Sequence, residues 1–173
     1  MLIDLVQIRL QGENKWPENE RFRRYLKSHS HSDRALRRIA EEIEEQIDCT
    51  QCANCCKSAA VTFADRDVER LARYLRITAA KFLAGYTEES PEEGRILRRT
   101  AGKGCVFLEG NLCSVYEARP DTCRRFPHLV RGAGSIASRM WQFIDRACYC
   151  PIIFNSLEAF KGYLKYGCKE TND

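Results

Sequence analysis

Residues 49–56 read CTQCANCC, four cysteines in eight positions with the last two adjacent. A thiolate ligand sits on a short side chain, so two cysteines that share a metal centre are usually separated by two to four residues that turn the chain back. Cys49, Cys52 and Cys55 keep that spacing in succession. Cys56 follows at once and its side chain leaves the backbone in another direction, so it either serves a second centre or is a spare. This octet limits the local fold to a tight series of turns.

The chain has ten cysteines in 173 residues. In a small secreted protein they would read as disulfides, whereas clustered thiols in a reducing compartment bind metal. The opening MLIDLVQIRLQ carries Asp4 and Arg9 within its apolar stretch and no small-residue cleavage site follows it. No run approaches the roughly 18 apolar residues of a membrane span. A cytoplasmic, reduced protein without membrane association is therefore expected. Cys55 and Cys56 also hold their side chains badly for the dihedral a disulfide needs.

Hydrophobic residues make up 44% and charged residues 30%, an ordinary mix at a length suited to one domain. The expected organisation is a single domain over 1–173. Residues 1–48 form an N-terminal segment and stem helix, 49–151 a cysteine-cluster metal-binding core, and 152–173 a C-terminal helix. Net charge is only +4. The basic run Arg21 to Lys27 has interleaved aromatics but reads as a solvated helix face, and nucleic-acid binding is not expected. An unidentified protein partner stays open.

Leu36, Ile39, Ile43 and Ile47 recur at steps of three and four, predicting a helix over 32–48, with Ser30 and Asp33 as its capping start, that runs into Cys49 as a rigid stem. Thr62 offers a second helix start, before an apolar face of Val68, Leu71, Ala72 and Leu75. A third helical stretch begins near Thr78 with Phe82, Leu83 and Tyr86. Residues 88–94 read as a polar loop. Two strand-like runs, 105–108 and 112–116, flank Glu109-Gly110-Asn111 as a hairpin carrying Cys105 and Cys113 on its two strands. Residues 136–147 are ambiguous, and 155–165 read as a closing helix with Glu158 near its cap. The expected fold is α+β: a mostly helical small domain with one short β-hairpin, its loops pinned by a cysteine-ligated metal centre.

The run C-x2-C-x2-C with a remote Cys-Pro is an arrangement that ferredoxins use around a cubane cluster. Here it is Cys49, Cys52 and Cys55 with Cys150-Pro151, leaving Cys56, Cys105, Cys113 and Cys123 as a second four-thiol set. Cys148 can stand in for Cys150, and the two sets can exchange members. Cys168 reads as a free thiol, and His29, His31 and His128 as solvated. Four thiolates suit zinc and iron–sulfur clusters equally by softness. Either centre carries about −2 with its ligands, which favours nearby cations; Arg119 and Arg124 flank Cys123 and are candidates for that role. The dinucleotide fingerprint GxGxxG is absent, and so is the radical-SAM C-x3-C-x2-C, since Ala59 stands at its third position.

The order CxxCxxCC, then C-x-F-L, then C-x7-C-x2-Y, then R-P-x2-C-R-x-F-P resembles the YkgJ-type cysteine-cluster family of zinc- or iron-chelating domains. The flagellin lysine N-methylase is related to that family. The matching residues are Cys49, Cys52, Cys55, Cys56, Cys105, Phe107, Leu108, Cys113, Tyr116, Arg119, Pro120, Cys123, Arg124, Phe126 and Pro127. The resemblance implies a cysteine-ligated metal centre, an iron–sulfur cluster by preference, in a bacterial or archaeal intracellular setting. Three functions follow as expectations. The first is an iron–sulfur protein, [4Fe–4S] with one or two clusters, in a redox or cluster-dependent role. The second is a zinc-stabilised binding module for a protein or nucleic-acid partner. The third is an enzyme related to the lysine N-methylase, for which Tyr116, Tyr149 and Trp141 are candidate substrate contacts.

Overall fold

A computed structural model describes residues 1–132 and 134–167. Cys168 lies outside the described residues. In chain order the elements are α1 (Leu5–Asn14), α2 (Trp16–Ser28), α3 (Asp33–Glu44), α4 (Cys49–Cys52), α5 (Asn54–Ser58), α6 (Asp65–Leu75) and α7 (Ala79–Tyr86). Six short strands follow: β1 (Thr87–Ser90), β2 (Gly94–Leu97), β3 (Arg99–Thr100), β4 (Gly104–Cys105), β5 (Leu108–Glu109) and β6 (Leu112–Cys113). A 3-10 turn at Tyr116–Ala118 leads to α8 (Asp121–Arg125), α9 (Ile136–Ala147) and α10 (Pro151–Tyr163). The fold is α+β and mostly helical, as the sequence pattern implies.

The chain forms two compact units. One joins Met1–Asp48 to the segment from Pro127 onward; the other is Cys49–Phe126. In the first unit α10 packs on α3 and α9, and α2 packs on α9. Its core holds Ile8, Phe22, Leu36, Met140, Phe143, Ile144, Ile153 and Phe160. Phe22 and Leu26 are buried while Arg21, Arg24 and Lys27 are exposed, so the basic run is the outer face of α2. The cap of helix α3 lies two residues beyond the Ser30 reading: it is Ser32, which accepts from Ala35 N at 3.2 Å. It ends at Glu44, so residues 45–48 separate it from Cys49 and no continuous helical stem enters the cysteine octet. Helix α10 begins at Pro151, where the missing N–H costs nothing, and Glu158 lies in its middle rather than at a cap.

In the second unit Val61, Val68, Leu71, Ala72, Phe82, Leu97, Phe107 and Val115 form the core, with Cys105, Cys113 and Cys123 packed against its edge. Thr62 is not the cap of α6 but bridges to Ile96; the helix starts after Ala64, whose N–H donates to Asp67 Oδ2 at 3.0 Å. The strands form three two-stranded antiparallel ladders, β1–β2, β3–β4 and β5–β6. Residues 88–94 are thus largely hairpin, Thr87 pairing with Leu97, where polarity had masked the alternation. Cys105 and Cys113 do not share a hairpin: Cys105 pairs with Arg99 and Cys113 with Leu108. The Gly110-Asn111 turn closes only the second of these.

In the first unit Lys161 is buried and its Nζ lies 2.7 Å from Glu18 Oε1 and 2.6 Å from Glu158 Oε1, with Lys15 Nζ 2.7 Å from Glu158 Oε2. Burial pushes the Glu18 carboxyl up, but the hydrogen bond and charge of Lys161, joined by Lys15, outweigh it and hold the group below the usual carboxylate range. A lowered carboxyl contributes stability that is present above its unfolded-state value and lost as pH falls through the folded one. Urea unfolding midpoints should therefore drop on the acid side of the usual carboxylate range. In Glu18→Gln that acid limb should flatten while the midpoint at neutral pH is lowered.

Candidate metal centre

The octet folds as two helical stubs. Helix α4 is a single turn closed by Ala53 N donating to Cys49 O at 2.9 Å. Ala53 then adopts left-handed geometry, φ 48°, ψ 13°, a conformation that costs an L-residue about 1–2 kcal/mol. The reversal breaks what would otherwise be one helix and starts α5, with Cys56 N donating to Ala53 O at 3.0 Å. Cys49 is exposed; Cys52, Cys55 and Cys56 are half-buried.

Side chains from distant positions hold the stubs. Arg99 caps the C-terminal end of α5, Nη1 donating to Ala59 O and Nη2 to Lys57 O at 2.6 Å. Asn111, in the β5–β6 turn, donates to Gln51 O at 2.7 Å and accepts from Lys57 Nζ at 2.7 Å, so one amide ties the hairpin to both stubs. Gly104 sits at φ +91°, and a Cβ there would lie 2.5 Å from Cys56 O and 2.7 Å from Lys57 Cα. Glycine alone lets β4 lie against α5, which brings Cys105 beside Cys56.

A buried carboxylate sets the position of Cys123. Asp67 is 2% exposed; it pairs with Arg70 and accepts from Asp121 N at 3.2 Å. Arg70 Nη2 in turn donates to Arg119 O at 2.7 Å and its Nε to Ala118 O at 3.3 Å. The turn before α8, and with it Cys123, is thereby fixed to α6.

Cys56, Cys105, Cys113 and Cys123 lie within electrostatic range of one another in all six pairings. Burial pushes the Cys105 thiol up to about 11 and raises Cys113 and Cys123 as well. Cys56 goes the other way, to about 7: the Cys55 S–H donates to it, and the charges of Arg119 and Lys57 add to that against the cost of burial. Arg119 also acts on Cys113 and Cys123, and Arg99 on Cys105. The N–H of Phe107 faces the Cys105 sulfur, and that of Val115 faces Cys113, each two residues on.

Four soft donors, two of them with backbone N–H groups aimed at sulfur and a guanidinium alongside, form a donor set that fits a tetrathiolate metal or iron–sulfur centre. Among the described residues no group of three or more Cys, His, Asp or Glu side chains is posed to hold an ion as it stands.

The other residues singled out from sequence are distributed as follows. Cys55 joins the set through Cys56, while Cys52 and Cys49 lie on α4. Cys150 is buried in the first unit as the N-cap of α10, and Cys148 is half-buried just before it, its thiol pushed up to about 11 by burial. Arg119 lies over the Tyr116 ring, 3.4 Å from its centroid, and Arg124 is exposed on α8. Trp141 is exposed on α9, and burial raises Tyr149, which bonds to Asp145. His29 is exposed and stacked on Tyr25, but His31 and His128 are half-buried rather than fully solvated. Gly104, Asp67, Arg70, Arg99 and Asn111 escaped sequence reasoning, since nothing local marks a residue whose partner is some 40 to 60 positions away.

These features define a small, mostly helical protein built around a cysteine cluster that chelates metal. Residues 48–151 match the family described as "CxxCxxCC: putative zinc- or iron-chelating domain", and the chain belongs to that family. No solved structure matches it significantly. Among the described residues no helix is long and apolar enough to cross a membrane.

Gly104→Ala should separate β4 from α5 and lower the metal bound per chain, while far-ultraviolet circular dichroism keeps its helical signal. Asp67→Ala strips a buried pair of its anion and bares two N–H donors. A loss of about 3 kcal/mol in urea unfolding is expected.

Proposed function

We propose that this chain is an iron–sulfur protein in which Cys56, Cys105, Cys113 and Cys123 form one ligand set and the cluster serves a redox or cluster-dependent role. The observation that carries the reading is the six-fold mutual proximity of these four thiols at the edge of an apolar core. The C-x2-C-x2-C spacing of Cys49, Cys52 and Cys55 supports iron–sulfur over zinc.

The chain's own residues do three things for such a centre. Cys56, drawn down to about 7, is readily ionised near neutral pH, while the other three hold protons that metal must displace. Arg119 and Lys57 offset the roughly −2 charge of a tetrathiolate centre. Phe107 and Val115 donate backbone N–H groups to sulfur, an interaction that tunes potential. A bound cluster supplies one-electron transfer.

Protein purified without air should contain iron and acid-labile sulfide in equal amounts, about four of each per cubane cluster. Zinc without sulfide would overturn the iron–sulfur assignment and favour a zinc-stabilised binding module. Cys56→Ser and Cys123→Ser should each abolish the metal of the same set. If Cys49, Cys52 and Cys55 serve a separate centre, about half the iron should survive either change.

A further inference from the structure

Outside the cysteine cluster, the first unit contains an unusual guanidinium. Arg139 on α9 donates through Nη1 to His128 O at 3.3 Å and lies 5.4 Å from the centroid of the Phe143 ring. Its Nε and Nη2 have essentially no solvent-accessible surface and no hydrogen-bond partner among the described residues. These two atoms form the side-on edge of the guanidinium, the fork that takes both oxygens of a carboxylate or phosphate. One end of the group is thus anchored and its bidentate edge is bare. Buried donors without partners are costly enough that each one calls for a cause such as an ion or water.

The surrounding charge is positive. Arg37 and Arg146 both act on Arg139, against one carboxylate, Asp33. Asp33 Oδ2 accepts from Ile136 N at 3.0 Å, while Oδ1 lies 3.4 Å from His31 Nε2 and is itself buried without a hydrogen bond among the described residues. Arg37 is occupied with backbone carbonyls of Leu129, Val130 and Gly134, at 3.3, 2.9 and 3.3 Å, so it lends field rather than donors. Three guanidiniums against Asp33, and against Asp145 beside Arg146, leave one positive charge over, and the planar fork is shaped to take two oxygens of one phosphate.

We infer that the side-on fork of Arg139, backed by Arg37 and Arg146, is a binding site for a phosphate group, either free phosphate or a phosphate ester. The fork is buried as the structure stands. The site is independent of the cysteine cluster and of which metal that cluster holds.

The test is the thermal unfolding midpoint of the full chain, as purified, titrated at constant ionic strength with inorganic phosphate, glycerol phosphate, acetate or chloride. The expected result is a saturable rise with phosphate that chloride and acetate do not reproduce. Glycerol phosphate matching or exceeding inorganic phosphate assigns the site to esters, and the reverse order to the free ion. Arg139→Lys keeps the charge but lacks the fork, so its apparent affinity for phosphate should fall about tenfold or more. Phosphate acting no better than chloride or acetate on the unsubstituted protein overturns the inference, and that comparison stands even should the variant fail to fold. An unchanged phosphate response in Arg139→Lys overturns it equally.

Discussion

The cysteine-bearing unit depends on one carboxylate that has been taken out of water. Asp67 is tolerable there because its oxygens are bonded: to the N–H that opens its own helix, to the N–H that opens the stub bearing Cys123, and to Arg70. The ladders of this unit are two to four residues long, too short to hold themselves in register. What organises them is a set of side-chain bonds to remote backbone: Arg70 to Arg119, Arg99 to the end of α5, Asn111 to Gln51. Each spends a polar side chain on carbonyls or amides that no regular element satisfies.

The same economy governs the thiols. Sulfurs at the edge of an apolar core are inexpensive to bury while protonated and expensive once ionised. Three of the four sulfurs follow that rule, and Cys56 departs from it because a donor thiol and two cations surround it. A cation bound among them would reverse that preference, since it stabilises thiolate. Gly104 and Asp67 hold Cys105 and Cys123 near Cys56.

Much of this was legible in the chain. Helices α6 and α7 announce themselves through Val68, Leu71 and Ala72 and through the Thr78 cap, whereas the grouping of Cys56 with Cys105, Cys113 and Cys123 is one of the divisions that the spacing of the thiols leaves open. The misplaced details share a cause: a local signal was overruled by a distant partner. Thr62 resembles a cap but is used by Ile96, and Asp67 supplies that helix start from within. Glu158 resembles a cap residue but is claimed by Lys15 and Lys161. The β1–β2 hairpin was hidden because its strands pair at Glu88 and Glu89, where polar residues face water. Gly104 could not be singled out among neighbouring glycines, because what distinguishes it is the backbone of α5 across from it.

The division of the chain bears on the order in which the protein is made. Cys49–Phe126 is one uninterrupted stretch, whereas the other unit is assembled from segments on either side of it. During synthesis the whole cysteine-bearing stretch has left the ribosome before α9 and α10, which complete the outer unit's core, have emerged. Helices α1–α3 must wait with Phe22 and Leu36 unburied, while the inner stretch is free to gather its thiols first. An interval therefore exists in the life of every nascent chain when Cys49–Phe126 is complete and the core of the other unit is not.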